Sequence, residues 1–171
     1  MIMKTVLLSD ISIRTTLQPG DIGYVTYLHG KLYSDEYGFG ISFEGYVAQG
    51  LLEFLENYKP ENNRVWVCEH NGRMIGFMLL MNRGDAAQLR YFIIEPAYRG
   101  IGLGKKLMEL FLAFLKSRRY KSSYLLTTHE LAAAASLYTR HGFQLTEERD
   151  STAFGKPLKE QRYDLTSVNH N

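Results

Sequence analysis

Three closely spaced glycines, Gly100, Gly102 and Gly104, follow Arg99 just past the middle of the chain. Glycine lets the backbone approach a ligand closely and adopt conformations that a side chain would forbid. A helix-periodic segment begins directly after them. Its start would present unpaired N–H groups and the positive end of the helix dipole, which suit a phosphate or pyrophosphate. The segment therefore predicts a strand–loop–helix unit that binds a phosphorylated cofactor.

Two common phosphate-binding motifs do not fit this loop. A P-loop needs Ser or Thr after its Gly-Lys pair, and the sequence Gly104-Lys105-Lys106 lacks the hydroxyl that would hold magnesium. A dinucleotide-binding fingerprint needs Gly-x-Gly-x-x-Gly near the start of a βαβ unit. Here the spacing is Gly-x-Gly-x-Gly, and a large part of the chain precedes it. A nucleotide-binding domain is therefore disfavoured.

The residues around the loop resemble the GNAT (Gcn5-related N-acetyltransferase) family. The Arg-x-x-Gly-x-Gly sequence at 99–104, after Ile-Glu-Pro at 94–96, is similar to the acyl-CoA-binding motif of that family. Residues 134–143 resemble the signature of the family's later helix. Residues 29–38 resemble the acetyltransferase half of proteins that fuse a MarR-type regulator to a GNAT domain. The resemblance implies a GNAT fold with acetyl-CoA as cosubstrate and no metal.

The resemblance also implies roles for particular residues. The strand would pair through its backbone with the pantetheine arm, and the loop amides would hold the pyrophosphate. A tyrosine at the position of Tyr138 commonly protonates the departing thiolate in this family, although Tyr138 also fits a core position on an apolar helix stripe. Thr128 stands close to where many members carry asparagine, and it could offer a hydroxyl. The predicted cofactor-binding residues are Phe92, Ile93, Ile94, Arg99, Gly100, Ile101, Gly102, Leu103, Gly104, Lys105, Thr128 and Tyr138.

An amine near neutral pH must lose a proton before or during its attack on a thioester, and Glu or His is the usual acceptor. Glu36 is the predicted general base, so that Tyr138 and Glu36 form the predicted catalytic pair. His29 is the alternative, although a lone histidine on an apolar helix face is more often a core residue. Five aromatic residues could line an acceptor pocket or belong to the core: Tyr24, Tyr27, Tyr33, Tyr37 and Phe39.

The predicted activity is direct transfer of an acetyl group from acetyl-CoA to a primary amine of a small molecule or peptide. No activated Cys or Ser constellation points to a covalent enzyme intermediate. The rival from another class is a non-catalytic module that binds or senses acyl-CoA. The sequence does not name the amine.

Composition sets limits on other functions. The chain has 171 residues and a formal charge of +2, which is too small to indicate a nucleic-acid partner. Its single cysteine, Cys68, lies in an apolar strand and reads as a buried thiol. No apolar run approaches the ~20 residues that span a bilayer, and residues 1–10 do not resemble a signal peptide. We therefore expect one cytoplasmic domain over residues 1–171, without a membrane partner, that can form a homodimer through the edges of its last strands.

Periodicity and turn residues predict the elements that position these groups. Their order is β-α-α-β-β-β-α-β-α-β-β, an α/β (α+β) fold with a mixed, mostly antiparallel sheet of about seven strands and four flanking helices. Asp21 and Ser42 are the predicted caps of the first two helices, with a loop at 34–40 between them. Asn71-Gly72 predicts a tight hairpin turn. The predicted strands are 11–16, 64–70, 73–81, 86–94, 123–128, 143–149 and 156–165, and the helices after the first two are 102–119 and 131–141.

Overall fold

A seven-stranded sheet flanked by four helices forms the frame of the chain, in a computed structural model that describes residues 5–166 and 168. The predicted fold class and element order are confirmed. The strand order in the sheet is β1-β2-β3-β4-β5-β7-β6. The strands are β1 Ser12–Arg14, β2 Arg64–His70, β3 Arg73–Arg83, β4 Ala86–Ile94, β5 Ser122–Thr128, β6 Gln144–Ser151 and β7 Leu158–Leu165, and the helices are α1 Asp21–Tyr37, α2 Ile41–Glu56, α3 Leu103–Ser117 and α4 Ala132–Arg140.

Strands β2, β3 and β4 form the predicted antiparallel meander. The turn between β2 and β3 has Asn71 and Gly72 at φ values of 52° and 73°, the positive values that a type I′ hairpin turn requires. Two apolar layers cover the sheet. One lies beneath α3 and α4, and the other lies beneath α1 and α2. No helix within residues 5–166 and 168 combines the length and the apolar character that crossing a bilayer requires.

The parallel pair β4–β5 opens part of the way along its length. The two strands are paired only from Ala86 and Ser122 to Leu89 and Leu125. Beyond that point β5 continues its ladder with β7 on its other side. The stretch of β4 that ends at Ile94 therefore has no ladder partner on its β5 side within the described chain, and a gap opens there.

A bulge in β4 changes which way its side chains point. Leu79 of β3 pairs with Arg90, and Phe77 pairs with Ile93, so β4 contains an extra residue at this point. At this bulge Tyr91 has φ of 56°, which is uncommon for a residue other than glycine. Before the bulge Leu89 packs toward α3, whereas Tyr91 packs toward α1 and α2. The bulge thereby turns Phe92 toward the α3 side.

The link between α1 and α2 differs from the prediction. Helix α1 continues through the predicted loop to Tyr37, and Gly38 ends it in the left-handed conformation at φ of 72°. The Lys31–Asp35 ion pair of 2.8 Å supports this extra turn. The predicted caps are also wrong, because Gly20 and Gly40 occupy the cap positions.

The side chains of Asp21 and Ser42, the predicted caps, make other hydrogen bonds. The Asp21 carboxylate lies inside the first turn and accepts a hydrogen bond of 2.7 Å from the Gln18 amide. The Ser42 hydroxyl donates to the carbonyl of Ala153 at 3.1 Å, which joins α2 to the β6–β7 loop. Strand β1 is also shorter than predicted and covers only Ser12–Arg14.

Candidate active site

The gap between β4 and β5 leads into a cleft of about 780 Å³, here called the β4–β5 cleft. This volume lies within the range of small-molecule and cofactor sites. The end of α1, the glycine loop, the start of α3 and one face of α4 complete its walls. Most of the predicted site residues meet here: Glu36, Phe92, Ile93, Ile94, Arg99, Gly100, Gly102, Gly104, Lys105 and Tyr138 all line the cleft.

Three predicted cofactor-binding residues do not line this cleft. Leu103 is buried in the core beneath α3, and Ile101 packs against the same core. These two can offer only backbone groups to a ligand in the cleft. Thr128 lines a neighbouring cavity instead.

The glycine loop ends in a helix start whose backbone donors are free. Gly102, at φ of 91°, precedes α3, and no described side chain caps the helix. The first α3 hydrogen bond runs from the Lys106 amide to the Gly102 carbonyl at 3.1 Å, so the amides before it have no partner within the helix. A β-carbon added to Gly104 would lie 3.2 Å from Leu137 and 3.8 Å from Phe92, so this glycine keeps the cleft open. This corner therefore suits an anionic group.

Arg99 connects the loop to helix α1. Its guanidinium donates two hydrogen bonds of 2.8 Å to the carboxylate of Glu36 and one of 3.0 Å to the carbonyl of Ile94. The hydrogen bonds to Glu36 raise the pKa of Arg99 above its usual value. Lys105 and Arg140 add positive charge along the cleft. Both oxygens of Glu36, the predicted general base, already accept hydrogen bonds from Arg99.

Tyr138 lies between the cleft and a second, smaller cavity and lines both. Its side chain is 6% exposed, and its ring centroid is 6.3 Å from that of Phe92. Burial raises the pKa of its phenol, so the phenol keeps its proton at neutral pH. The hydroxyl has no hydrogen-bond partner among the described residues. Tyr138 is thus buried like a core residue, but its side chain also lines both cavities.

The second cavity, here called the inner cavity, has a volume of about 110 Å³. It shares Tyr33, Phe92, Leu131 and Tyr138 with the β4–β5 cleft. The hydroxyl of Thr128 in its wall is buried without a hydrogen-bond partner, a costly state unless a ligand or water satisfies it. The remaining lining residues are His29, Phe39, Phe43, Tyr46, Val47, Gln88, Leu89, Arg90, Tyr91, Leu126, Thr127, Phe154 and Glu160.

His29 is a buried wall residue of the inner cavity. Its Nδ1 lies 2.8 Å from the carbonyl of Val25, and its ring stacks on Tyr33. Because a carbonyl can only accept, Nδ1 carries the hydrogen and Nε2 is left as an acceptor. Burial lowers the pKa of His29 to about 4, so the imidazole is neutral at pH 7.

Two aromatic residues that the sequence offered for an acceptor pocket, Tyr33 and Tyr37, line the cleft one turn apart on α1. Tyr98, from the turn after β4, also lines the cleft and was absent from the predicted set. Of the aromatic residues considered for an acceptor pocket, Phe39 lines the inner cavity, whereas Tyr24 and Tyr27 line neither space. Helical spacing could have found the lining face of α4, which comprises Ala133, Ala134, Leu137, Arg140 and His141.

Two further sequence expectations concern metal and thiol chemistry. Within residues 5–166 and 168, no three His, Cys, Asp or Glu side chains lie together as a metal site would require. Cys68 is buried in β2, as predicted, and burial raises the pKa of its thiol to about 12. A thiol with so high a pKa has almost no thiolate at neutral pH.

Known proteins resemble this chain in sequence. The family model of an acetyltransferase (GNAT) domain matches residues 61–145. The uncharacterised N-acetyltransferase YjgM of Escherichia coli strain K12 is 32% identical over 117 residues, which cover 65% of this chain and 70% of that protein. None of the relatives named here is described as a fusion with a MarR-type regulator.

Solved structures share the architecture. A GNAT-family acetyltransferase from Staphylococcus aureus Mu50 has a TM-score of 0.75 at 20% identity and covers 93% of this chain and 99% of its own. Spermidine N-acetyltransferase from Vibrio cholerae, solved with CoA and spermine, has a TM-score of 0.70 at 21% identity and covers 95% and 98%. At these identities the likeness concerns the fold. The relative in Escherichia coli, together with the match to the family model, shows that the chain belongs to the GNAT family of N-acetyltransferases.

Proposed function

We propose that the chain transfers an acetyl group directly from acetyl-CoA to the primary amine of a small molecule or peptide. One observation carries this proposal: the unpaired edge of β4 runs to a helix start with free amides, and buried Tyr138 lies beside that edge. An extended pantetheine arm can pair with such an edge, and a pyrophosphate can bind at such a helix start. The cleft is also large enough for a ligand of this kind.

The residues present fit the chemistry of acetyl transfer. Bound acetyl-CoA would supply an activated acetyl group as a thioester. Backbone N–H groups of β4 beside Phe92 would polarise the thioester carbonyl. The amine nitrogen then forms its bond to the acetyl carbon as the C–S bond breaks. Tyr138 would donate its phenol proton to the departing thiolate, a role that its position in the walls of both cavities supports.

The amine must also give up a proton, and two residues are candidates for accepting it. Glu36, the predicted general base, lies at the cleft wall, where its oxygens bind Arg99. His29 lines the inner cavity as a neutral imidazole, but its pKa of about 4 makes it a weak base. Either residue could act through a water molecule. We keep Glu36 as the proposed base and test its role below.

Thr128 and the loop complete the proposed binding set. The unpartnered hydroxyl of Thr128 would contact the acyl end of the cofactor from the inner cavity. Ile101 and Leu103 would contribute amides, whereas Arg99 and Lys105 would contribute positive charge. A small-molecule acceptor is consistent with the name of the spermidine acetyltransferase that shares the fold. We further propose one cytoplasmic domain, without nucleic-acid, membrane or metal partners, that can form a homodimer.

The rival function is a module that binds or senses acyl-CoA without catalysis. The resemblance of residues 29–38 to the acetyltransferase half of MarR-type fusions is what favours it. A sensor needs the loop and the β4 edge but has no use for the acid Tyr138. The two functions therefore differ in turnover, not in binding.

Thermal unfolding with acetyl-CoA, CoA and ATP, followed by thiol release with a panel of amines, tests the proposal. At a hundredfold excess over Kd, a ligand stabilises the native state by about 2.7 kcal/mol, which raises Tm by several degrees. The thiol assay has little background because the single cysteine is buried. Stabilisation by CoA species with thiol release indicates the enzyme, and stabilisation without release indicates the sensor. No stabilisation by either CoA species overturns both.

A further inference from the structure

Two neighbouring side chains in the wall of the inner cavity lack partners for their donor groups. The hydroxyl of Tyr91 is buried without a hydrogen-bond partner. The guanidinium of Arg90, whose side chain is 11% exposed, makes no hydrogen bond to any described residue. Its nearest carboxylate, that of Glu53, is 3.9 Å away and already accepts a hydrogen bond of 2.7 Å from Arg83. The guanidinium therefore keeps N–H donors that an anion could bind, and the buried Tyr91 hydroxyl beside it is costly to leave unpaired.

The β4 bulge is the reason that these two side chains lie together. In a regular strand, successive side chains point to opposite faces of the sheet. Here the Arg90 guanidinium lies 4.7 Å from the ring centroid of Tyr91. Both groups reach beneath α2 at Gly50, where a β-carbon would lie 1.8 Å from the hydroxyl and 2.7 Å from an Arg90 nitrogen. The chain thus provides a pair of convergent donors at a position where α2 has no side chain.

The rest of the inner cavity is mainly aromatic. Phe43 contacts Tyr33 and Phe154 with ring centroids 4.6 and 5.1 Å apart, and Tyr46 lies at the rim. The cavity also contains Glu160, whose carboxylate accepts a hydrogen bond of 3.0 Å from Arg149. Because Glu160 pairs with Arg149, it does not neutralise the guanidinium of Arg90, whose nearest carboxylate is that of Glu53 at 3.9 Å. The cavity therefore combines apolar walls with one anion-binding corner.

From this arrangement we propose that the amine acceptor also carries a carboxylate, which binds to Arg90 and Tyr91. The inference rests on the proposed acetyl transfer. The cavity of about 110 Å³ is smaller than the ~150 Å³ that holds benzene, so only part of the acceptor fits inside it and the rest extends into the adjoining β4–β5 cleft. Arg90 lies two residues before Phe92, roughly 7 Å along the strand, which lets one small molecule reach both the donor pair and the thioester. The apolar part of the acceptor would pack on the aromatic wall.

The test compares three amines with one apolar chain: leucine, leucinamide and 3-methylbutylamine. For each amine, kcat/KM of a variant is divided by that of the wild type, which cancels the different basicities of the amines. Arg90→Gln should lower kcat/KM for leucine at least tenfold, and for the other two less than threefold, because only leucine has the carboxylate. Tyr91→Phe should show the same selectivity with a smaller effect. If Arg90→Gln does not fold, Tyr91→Phe tests the proposal in its place.

Arg73→Gln is the matched control, because it removes a guanidinium that binds a different carboxylate, that of Glu95, and does not line the inner cavity. It should not change the preference among the three amines. A binding measurement separates this proposal from the proposed function: 4-methylpentanoate should raise the Tm of the wild type and not that of Arg90→Gln. Acetyl transfer with equal losses for all three amines in Arg90→Gln overturns the carboxylate proposal alone. Absence of acetyl-CoA binding overturns the proposed function, and the 4-methylpentanoate result still decides the anion site.

Discussion

The guanidinium of Arg99 and the carboxylate of Glu36 join the glycine loop to the last turn of α1 through two hydrogen bonds of 2.8 Å. Arg99 also holds the carbonyl of Ile94, so the pair fixes the cleft wall against the strand edge. We expect Glu36→Gln to lower kcat about a hundredfold, because an amide cannot accept the proton of the amine, and to raise the KM for acetyl-CoA, because a neutral amide holds the guanidinium less strongly. Steady-state kinetics with both substrates measures this.

Asp35→Asn is the control for this prediction, because Asp35 lies beside Glu36 on α1 but pairs with Lys31 on the surface. It should leave both constants unchanged. If Glu36→Gln instead raises the KM for acetyl-CoA with little change in kcat, Glu36 only positions Arg99 and is not the general base.

Tyr138→Phe should lower kcat between about tenfold and a hundredfold while the affinity for acetyl-CoA changes less than about twofold. The substitution removes only the phenol oxygen from a ring that packs near Phe92 and Tyr163. Tyr163→Phe is the matched control, because Tyr163 is buried in the same core but lines neither cavity. Equal kcat values for the two variants would exclude Tyr138 as the acid.

Local sequence patterns predicted much of the fold and of the cleft. The glycine loop lies between the apolar strand β4 and the periodic helix α3, and each of these features is visible within a few residues. The Asn71-Gly72 turn could be predicted because it depends only on two residues that readily adopt the positive φ values seen there. Phe92, Gly102 and Tyr138 lie far apart in the sequence, and it was the resemblance to the GNAT family that assigned them to one site.

Features set by tertiary contacts could not be read from the chain. Alternation would place Tyr91 on the same face as Leu89, but the β4 bulge reverses this and brings Tyr91 beside Arg90. The Arg99–Glu36 pair joins residues 63 positions apart, so no local pattern reports it. The predicted end of α1 was wrong because the two glycines of residues 34–40 indicated a loop over the whole segment, whereas the helix continues to the left-handed Gly38.

Gly102→Ala should weaken the binding of acetyl-CoA and also lower stability. Gly102 has φ of 91°, and its β-carbon would meet only Leu8 at 3.8 Å, so the strain lies in the backbone. We expect a loss of about 1 kcal/mol in unfolding free energy and a loss of the amide arrangement at the start of α3. Titration calorimetry and chemical denaturation measure the two effects.

Gly84→Ala separates those two effects. Gly84 has φ of 80° in the β3–β4 turn, and its β-carbon would meet no atom within 4 Å. The Gly84→Ala variant should lose a similar amount of unfolding free energy, about 1 kcal/mol, and keep its affinity for acetyl-CoA. If Gly102→Ala also keeps full affinity, the loop amides do not bind the cofactor.

The stability of the protein should fall on acidification partly because of His29. Burial lowers the pKa of His29 to about 4, whereas an unfolded chain has a histidine pKa near 6.5. Between these values the unfolded state binds more protons, so unfolding free energy rises with pH. The contribution of His29 is complete above about pH 6.5 and is lost as pH falls toward 4.

Urea denaturation at pH 7 and pH 4.5 measures this effect. From the two pKa values, the wild type should lose roughly 2 kcal/mol more between these pH values than His29→Gln. His129→Gln, a change at an exposed histidine, controls for the loss of an imidazole. The lowered pKa of His29 matters for catalysis as well. An imidazole that stays neutral down to low pH cannot hold the amine's proton for long. Equal pH dependence in the wild type and His29→Gln would mean that His29 titrates normally, and it would then become the stronger candidate for the base.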